Sequence, residues 1–209
     1  MKPILLLRIL YPLWVISGIF SLMYIPSLLI DRGDIDLTIS NINAQEGLFR
    51  LGILGRIIAQ LFYIIIPLLL YELLAKVNKR QAVLMVAFSL VSIPMALYNE
   101  TNYLAILTAL DQPQVVLDYL NAYRANSIII HLFWGLWLFP LGILVYQSDY
   151  FPRIIGVLLF FGGTGYLMGS IVKLLFPEAE GLLSIIDYFT FGELLFIIWL
   201  VVMGTKKEH

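Results

Sequence analysis

Long apolar segments recur along this 209-residue chain and constrain its fold more than any other feature. Each is long enough to form the roughly 20-residue helix that crosses about 30 Å of hydrocarbon. The composition agrees, because 61% of the residues are hydrophobic and 13% are charged, whereas soluble domains average about 45–50% and about 25%. The sequence therefore predicts an all-α fold, a polytopic membrane helix bundle with about six transmembrane helices.

The predicted spans form a single integral membrane domain, 1–209. Their approximate ranges are 4–30, 50–75, 82–108, 127–147, 153–176 and 182–204. Pro152 opens the fifth span and Pro177 follows it, as is usual for proline at helix boundaries. The first span follows Lys2 in the manner of a signal peptide. Its apolar run continues to Ile30 without a small-residue cleavage pattern, so we expect it to be retained.

Basic residues in the short connections predict the orientation of the bundle. One side would carry Lys2, Lys76, Lys79, Arg80, Arg153, Lys206 and Lys207. The other side would carry Arg32, Arg50 and Arg124, with Lys173 near the end of the fifth span. Because lysine and arginine are enriched in cytoplasmic loops, both termini are predicted to be cytoplasmic. The expected location is a bacterial cytoplasmic membrane.

Two connections on the outer side carry apolar residues near helical spacing. Segment 35–49 places isoleucines between polar residues, and segment 112–124 begins with Pro113 at a plausible first helical position. Both patterns are typical of short amphipathic helices on the outer membrane surface. The alternative, that they extend the second and fourth spans, is equally compatible with the sequence.

Eight polar residues within the predicted spans are candidates for a ligand site or a buried polar network, and most of them lie in the outer half. They are Arg56, Gln60, Asn99, Glu100, Asn102, His131, Asp187 and Glu193. A charge at the bilayer centre costs about 2.5–3.5 kcal/mol on insertion scales, so such groups normally face the bundle interior and find partners. Arg56 is therefore expected to pair with Glu193 or Glu100.

This polar set has three interpretations. The first is a ligand-binding cavity that opens outward, with Arg56 as a clamp for an anion or carboxylate. The second is a buried polar network that holds helices together, which is a common role of interhelical polar pairs. The third is that some of these groups reach interfacial water.

Glycines and tryptophans in the later spans are assigned to packing. The glycines are Gly162, Gly163, Gly165 and Gly169. They predict a close helix-packing face rather than a phosphate loop, because no P-loop lysine follows in register. For Trp134 and Trp137, packing is favoured over contact with a ligand.

Several classes of function have little support. The net charge of −1 gives no electrostatic basis for binding nucleic acid. With no cysteine, the chain has no thiolate nucleophile and no cysteine-ligated metal. Two histidines without a His-Glu-x-x-His motif make a zinc site improbable, although carboxylates alone can hold a hard cation. Neither a metal nor another cofactor is predicted.

Three stretches resemble a bacterial multi-pass membrane protein family, domain of unknown function 4386. They are NINAQEGLFRLGI at 41–53, LYELLAKVN at 70–78 and QSDYFPRIIGVLLFFGGTGYL at 147–167. Glu193 in the last span, followed by Trp199-Leu200 and Gly204, also fits. The resemblance covers nearly the whole chain and implies a single membrane domain, but it implies no activity.

Three functions remain open from the sequence. The favoured one is binding or transport of a small polar or amphipathic ligand in an outward-facing intramembrane cavity. The second is an intramembrane enzyme acting on lipid or peptide, with His131 and nearby carboxylates as its reactive groups. The third is a non-catalytic membrane assembly component. The expected partners are membrane lipid, a small-molecule or lipid ligand, and a second copy of the chain.

Overall fold

Seven helices make up the part of the chain that the computed structural model describes, residues 3–176, 178 and 191–205. They are α1 (Pro3–Leu29), α2 (Ile35–Ala44), α3 (Glu46–Leu74), α4 (Lys79–Ile106), α5 (Pro113–Gln147), α6 (Arg153–Leu175) and α7 (Phe191–Met203). No strand occurs in these ranges. The predicted all-α helix bundle is confirmed.

Five of the helices, α1, α3, α4, α5 and α6, are long and apolar enough to cross a membrane. That finding is compatible with a membrane protein. The described part of α7 includes a shorter apolar helix, Gly192–Met203. The beginning of the predicted sixth span, 182–190, lies outside the described residues.

Side-chain caps and prolines define where the helices begin. The Asp34 side chain accepts a hydrogen bond from the Leu37 N–H at the start of α2, and Asn78 does the same for Gln81 at the start of α4. Both satisfy a donor that the first helical turn leaves without a partner. Pro113 and Pro152 open α5 and α6, where a missing N–H has no cost.

The two amphipathic outer segments have different structures. Helix α2 is a separate short helix, and its Ile39 and Ile42 are buried against Phe49 and Val116. The segment 113–124 is continuous with α5 and extends the fourth span. Segment 35–49 thus contains a separate short helix, whereas segment 112–124 extends the fourth span.

Helix α1 is interrupted by a π-helical segment, Ile19–Tyr24, which we call the π segment. Here the Ile25 N–H donates to the carbonyl of Phe20, five residues earlier. In the same register the next donor would be residue 26, directed at the Ser21 carbonyl, but Pro26 has no N–H. The Ser21 carbonyl is therefore left for a partner outside its own helix.

Close packing of α5 against α6 depends on two glycine pairs spaced seven residues apart. A Cβ on Gly135 would lie 2.9 Å from the Gly163 carbonyl, and one on Gly142 would lie 3.0 Å from the Gly156 carbonyl. The reverse distances, from Gly163 and Gly156, are 2.9 and 2.8 Å. Small residues allow membrane helices to approach at backbone distance, so these four glycines set the separation of the two helices.

The N-terminal part of α1 is tied to the end of α7 by Arg8. Its Nε donates to the Val201 carbonyl at 2.9 Å, and its Nη2 donates to the Val202 carbonyl at 3.4 Å. Carbonyls in the last turn of a helix lack intrahelical partners, and a cation there also interacts favourably with the negative end of the helix dipole. The contact brings the first and last described helices together, which closes the bundle around its core.

Candidate functional site

The polar residues singled out from the sequence separate into two neighbouring groups. Arg56, Glu100, Asn99 and Asn102 belong to a set of hydrogen-bonded side chains, which we call the ion-pair network. Gln60 and Glu193 line a separate cavity, which we call the aromatic cavity. Asp187 lies outside the described residues. The two groups adjoin, because Arg56 and Gln60 are one turn apart on α3.

The ion-pair network is centred on Arg56 of α3 and Glu100 of α4. Arg56 Nε donates to Glu100 Oε2 at 2.7 Å, and only 3% and 7% of the two side chains are exposed. The Tyr123 hydroxyl of α5 donates to the other carboxylate oxygen, Oε1, at 3.2 Å. The guanidinium carbon also lies 4.2 Å from the centroid of the Tyr103 ring. Of the two carboxylates considered for Arg56, Glu100 is thus its partner.

Arg56 also supplies the donor that α1 lacks. Its Nη1 donates to the Ser21 carbonyl at 2.8 Å, the carbonyl left free by Pro26 in the π segment. Helix α3 approaches closely enough because Gly55 faces α1, where an added Cβ would lie 2.9 Å from the Ser21 Cβ. One guanidinium therefore joins α1, α3 and α4.

Asparagines extend this network toward α5. Asn99 Nδ2 donates to the Tyr123 carbonyl at 3.0 Å and to Ser127 Oγ at 3.3 Å. Asn99 Oδ1 accepts from Asn102 Nδ2 and from Asn126 Nδ2, each at 3.0 Å. Most of these groups have a partner, with Arg56 Nη2 as an exception, and paired polar groups are typical of networks that stabilise a fold. The ion-pair network thus has the properties of a structural lock among four helices.

The aromatic cavity lies among α1, α3, α5, α6 and α7 and has a volume of about 210 Å³. Its lining comprises Trp14, Val15, Gly18, Ile19, Leu22, Met23, Ala59, Gln60, Tyr63, Trp134, Trp137, Tyr166 and Glu193. Gln60 lies midway along α3, so the cavity is at about half the depth of the bundle, about 21 Å from either end of that helix.

The aromatic side chains of this cavity form two sets of contacting rings, which together we call the aromatic wall. The Trp14 and Tyr63 rings are stacked, with centroids 5.5 Å apart, and Trp137 meets Tyr63 edge-on at 5.3 Å. On the other side Trp134 and Tyr166 are perpendicular at 6.2 Å. These distances fall in the range of favourable aromatic pairs, so the wall holds its shape by its own contacts.

Several polar atoms in the aromatic cavity are buried and have no hydrogen-bond partner among the described residues. They are Gln60 Oε1, Tyr63 Oη, Trp134 Nε1 and Glu193 Oε1. Gln60 and Glu193 are 7% and 8% exposed. About 90% or more of buried polar groups in folded proteins are paired, and four of the eight unpaired buried side-chain atoms in the described ranges belong to residues of this lining. Two of these atoms are acceptors, one is a donor and one is a hydroxyl, and all four belong to residues that line the cavity.

His131 lies beside the aromatic cavity without lining it. Its ring centroid is 4.9 Å from that of Trp134 and 6.0 Å from that of Tyr166, both of which are lining residues. No group of three or more histidine, aspartate or glutamate side chains is placed for metal binding in the described ranges. The position of His131 makes it a support for the aromatic wall.

The lining residues that sequence reasoning did not select are Trp14, Val15, Gly18, Ile19, Leu22, Met23, Ala59, Tyr63 and Tyr166. In a membrane span, aromatic and small residues are ordinary, so no local pattern distinguishes them. Trp134 and Trp137 were assigned to packing, yet both line the cavity. The signal that would have identified this wall is the convergence of distant helices, which a single sequence does not contain.

The π segment forms one border of the aromatic cavity. Ile19, Leu22 and Met23 line the cavity and are also 53%, 40% and 66% exposed on the flank of the bundle. Ser21 in the same segment is completely buried and contacts Arg56. Such π-helical insertions are rare and frequently occur at functional sites. Here the insertion separates the cavity from the ion-pair network and connects the cavity to the exposed flank.

Comparison with known proteins identifies the family. The family model described as Domain of unknown function (DUF4386) matches residues 9–204. An uncharacterized protein from Archaeoglobus fulgidus is 31% identical over 158 residues, which are 76% of this chain and 86% of the relative. No solved structure matches the chain. A bacterial source for this chain stays a prediction. Because the match covers nearly the whole sequence, the chain belongs to the family Domain of unknown function (DUF4386).

Proposed function

We propose that the protein is a multi-pass membrane protein that binds a small amphipathic molecule in the aromatic cavity. The observation that carries the proposal is the group of four unpartnered polar atoms in an otherwise apolar, mid-depth cavity. A few placed polar groups within a hydrophobic and aromatic lining are the usual composition of a ligand site. Transport would require the ligand to leave on the opposite side, and binding is the step proposed here.

The volume limits the size of the ligand. Pockets for drug-sized molecules measure about 300–1,000 Å³, whereas the aromatic cavity measures about 210 Å³. A complete phospholipid is excluded by size, but a small molecule or one end of a longer one fits. The apolar walls favour alkyl groups, and the polar atoms favour at least one hydrogen-bonding group.

The entry route follows from the exposed flank of α1. Ile19, Leu22 and Met23 belong both to the cavity lining and to the apolar surface that would face lipid. A ligand that partitions into the membrane would therefore enter laterally past the π segment. With both termini cytoplasmic, this entrance would lie in the outer half of the bilayer.

Gly18 offers a way to fill the cavity without disturbing the fold. It lines the cavity, and a Cβ added to it would meet no atom within 4 Å. Gly18→Leu should therefore place its side chain in the cavity and exclude a ligand. Gly47→Leu is the matched control, because Gly47 also has open space around its Cβ but lies at the start of α3.

Binding can be measured with three small molecules of nearly the same shape: 3,3-dimethyl-1-butanol, choline and 3,3-dimethylbutanoate. They are titrated against the full chain in lipid nanodiscs while the fluorescence of the cavity tryptophans is followed. Saturable binding of any one of them, lost in Gly18→Leu and kept in Gly47→Leu, is the expected result. If none of the three binds, or if Gly18→Leu binds as well as the wild type, the proposed function is wrong.

A further inference from the structure

We infer that the ligand of the aromatic cavity is a small organic cation whose charged group lies between the Glu193 carboxylate and the aromatic wall. This inference rests on the proposed function and names the chemical class of its ligand. Three observations point to a cation: the charge of the lining, the lack of an internal partner for Glu193, and the chemistry of the wall.

Among the described residues, the lining has an acidic side chain and no basic one. Glu193 is the ionisable carboxyl among the described lining residues, and none of them is lysine, arginine or histidine. The charge that these lining residues can contribute is thus negative and not positive. An anionic ligand would meet this carboxyl and the negative faces of the aromatic rings without a compensating charge.

Glu193 has no cationic partner in the part of the chain that the structure describes. The ion pairs there are Arg50 with Glu46 and Arg56 with Glu100. Arg56, which the sequence offered as a partner of Glu193, forms its ion pair with Glu100 instead; its Nη1 donates to Ser21, and its Nη2 has no hydrogen-bond partner among the described residues. A buried carboxylate without a partner is costly, so a cation that enters the cavity would relieve that cost.

The aromatic wall suits an alkylated ammonium group better than a metal ion. Trp14, Tyr63, Trp134, Trp137 and Tyr166 surround the cavity, and a cation within about 6 Å of such rings is attracted by their negative faces. Hard metal ions instead need about six oxygen ligands. The buried oxygens of Gln60, Tyr63 and Glu193 are too few for that coordination.

The remaining unpartnered atoms suggest a second polar group on the ligand. Trp134 Nε1 is a donor and Gln60 Oε1 is an acceptor. A hydroxyl group can accept from the first and donate to the second. An alkylated amino alcohol has all three features that the cavity would recognise, namely a positive charge, apolar substituents and a hydroxyl group.

The same three probes test this inference, because choline and 3,3-dimethyl-1-butanol differ mainly in charge. In the wild type, choline should bind at least about tenfold more tightly than the neutral alcohol, and 3,3-dimethylbutanoate should bind most weakly. Glu193→Gln should weaken choline binding by about tenfold or more while changing the affinity for the alcohol by less than about twofold. Glu72→Gln, which neutralises an exposed glutamate of α3, should change neither affinity.

The outcomes separate the two proposals. If the alcohol and choline bind equally in the wild type and Gly18→Leu abolishes both, the proposed function stands and the cation inference is wrong. If no probe binds, both are wrong. If Glu193→Gln does not fold, Glu193→Asp is the alternative variant, because it keeps the negative charge. It should still bind choline more tightly than the neutral alcohol. If a folded Glu193→Asp protein binds the two equally, the role assigned to the charge is wrong.

Discussion

Arg56 donates a 2.8 Å hydrogen bond from its Nη1 to the backbone carbonyl of Ser21. The acceptor is free because the residue five positions later is Pro26, which lacks an N–H in a segment where the helix has π-type register. The same guanidinium holds Glu100 through Nε. A side chain on α3 thus satisfies a free backbone carbonyl of α1 and neutralises a carboxylate on α4.

The buried ion pair should show a large and non-additive effect on stability. Glu100→Ala leaves the Arg56 charge buried without its partner and should lower the free energy of unfolding by about 3–5 kcal/mol. Replacing both residues, as in Arg56→Met with Glu100→Leu, should cost clearly less because no unpaired charge remains. Reversible unfolding in mixed micelles, followed by circular dichroism, measures the difference.

The exposed pair Arg50–Glu46 is the control for that experiment. It has the same 2.7 Å N–O distance, but its side chains are 58% and 48% exposed. Glu46→Ala should therefore cost less than about 1 kcal/mol. Equal costs for Glu46→Ala and Glu100→Ala would contradict the importance assigned here to burial.

Pro26→Ala should reduce the dependence of the fold on Arg56. The new N–H at position 26 can donate to the Ser21 carbonyl in place of Arg56. Arg56→Lys removes the Nη1 donor, and its cost in free energy of unfolding should be about 1 kcal/mol smaller in the Pro26→Ala background than in the wild type. A double-mutant cycle on the free energy of unfolding measures this coupling. The control is Pro67→Ala, because Pro67 lies about 16 Å along α3 from Arg56. Its effect on the free energy of unfolding should add to that of Arg56→Lys without coupling. Coupling as strong as that of Pro26→Ala would count against the hydrogen-bond explanation.

Gly156→Ala should destabilise the protein by about 1–3 kcal/mol, because the added methyl group would lie 2.8 Å from the Gly142 carbonyl and from backbone and side-chain atoms of Tyr146. The cost of this overpacking exceeds the gain in stability of about 1 kcal/mol from the higher helix propensity of alanine. Gly47→Ala, with open space around its Cβ, should show only the gain. Thermal unfolding in detergent compares the two variants, and a Gly156→Ala protein as stable as Gly47→Ala would refute the close approach of α5 and α6.

The predicted orientation can be tested directly because the chain contains no cysteine. Lys79→Cys, at the start of α4, should be protected from a membrane-impermeant maleimide in intact cells. Asp118→Cys, on the exposed face of α5, should be labelled. Permeabilised cells, in which both positions should react, supply the control for accessibility. The opposite labelling pattern would place both termini outside.

Local patterns in the sequence were sufficient to predict the helices and their approximate limits. Runs of apolar residues and prolines at helix starts act over a few residues, so they are readable without a structure. The outer segments show the limit of this reasoning: 35–49 and 112–124 have similar patterns, yet α2 is a separate helix and 113–124 continues into α5. Tertiary contacts of the whole bundle, not local spacing, distinguish them.

The sequence by itself determined that this is an apolar helical chain of the DUF4386 family with a small set of costly polar residues. Only the tertiary structure decided which of these residues form the ion-pair network and which line the aromatic cavity. Glu100 is held by Arg56, whereas Glu193 lies in an aromatic cavity with no partner among the described residues. The physical reason is that the cost of burying a charge depends on the atoms around it, and those atoms come from α1, α3, α4, α5 and α6, which are far apart in the sequence.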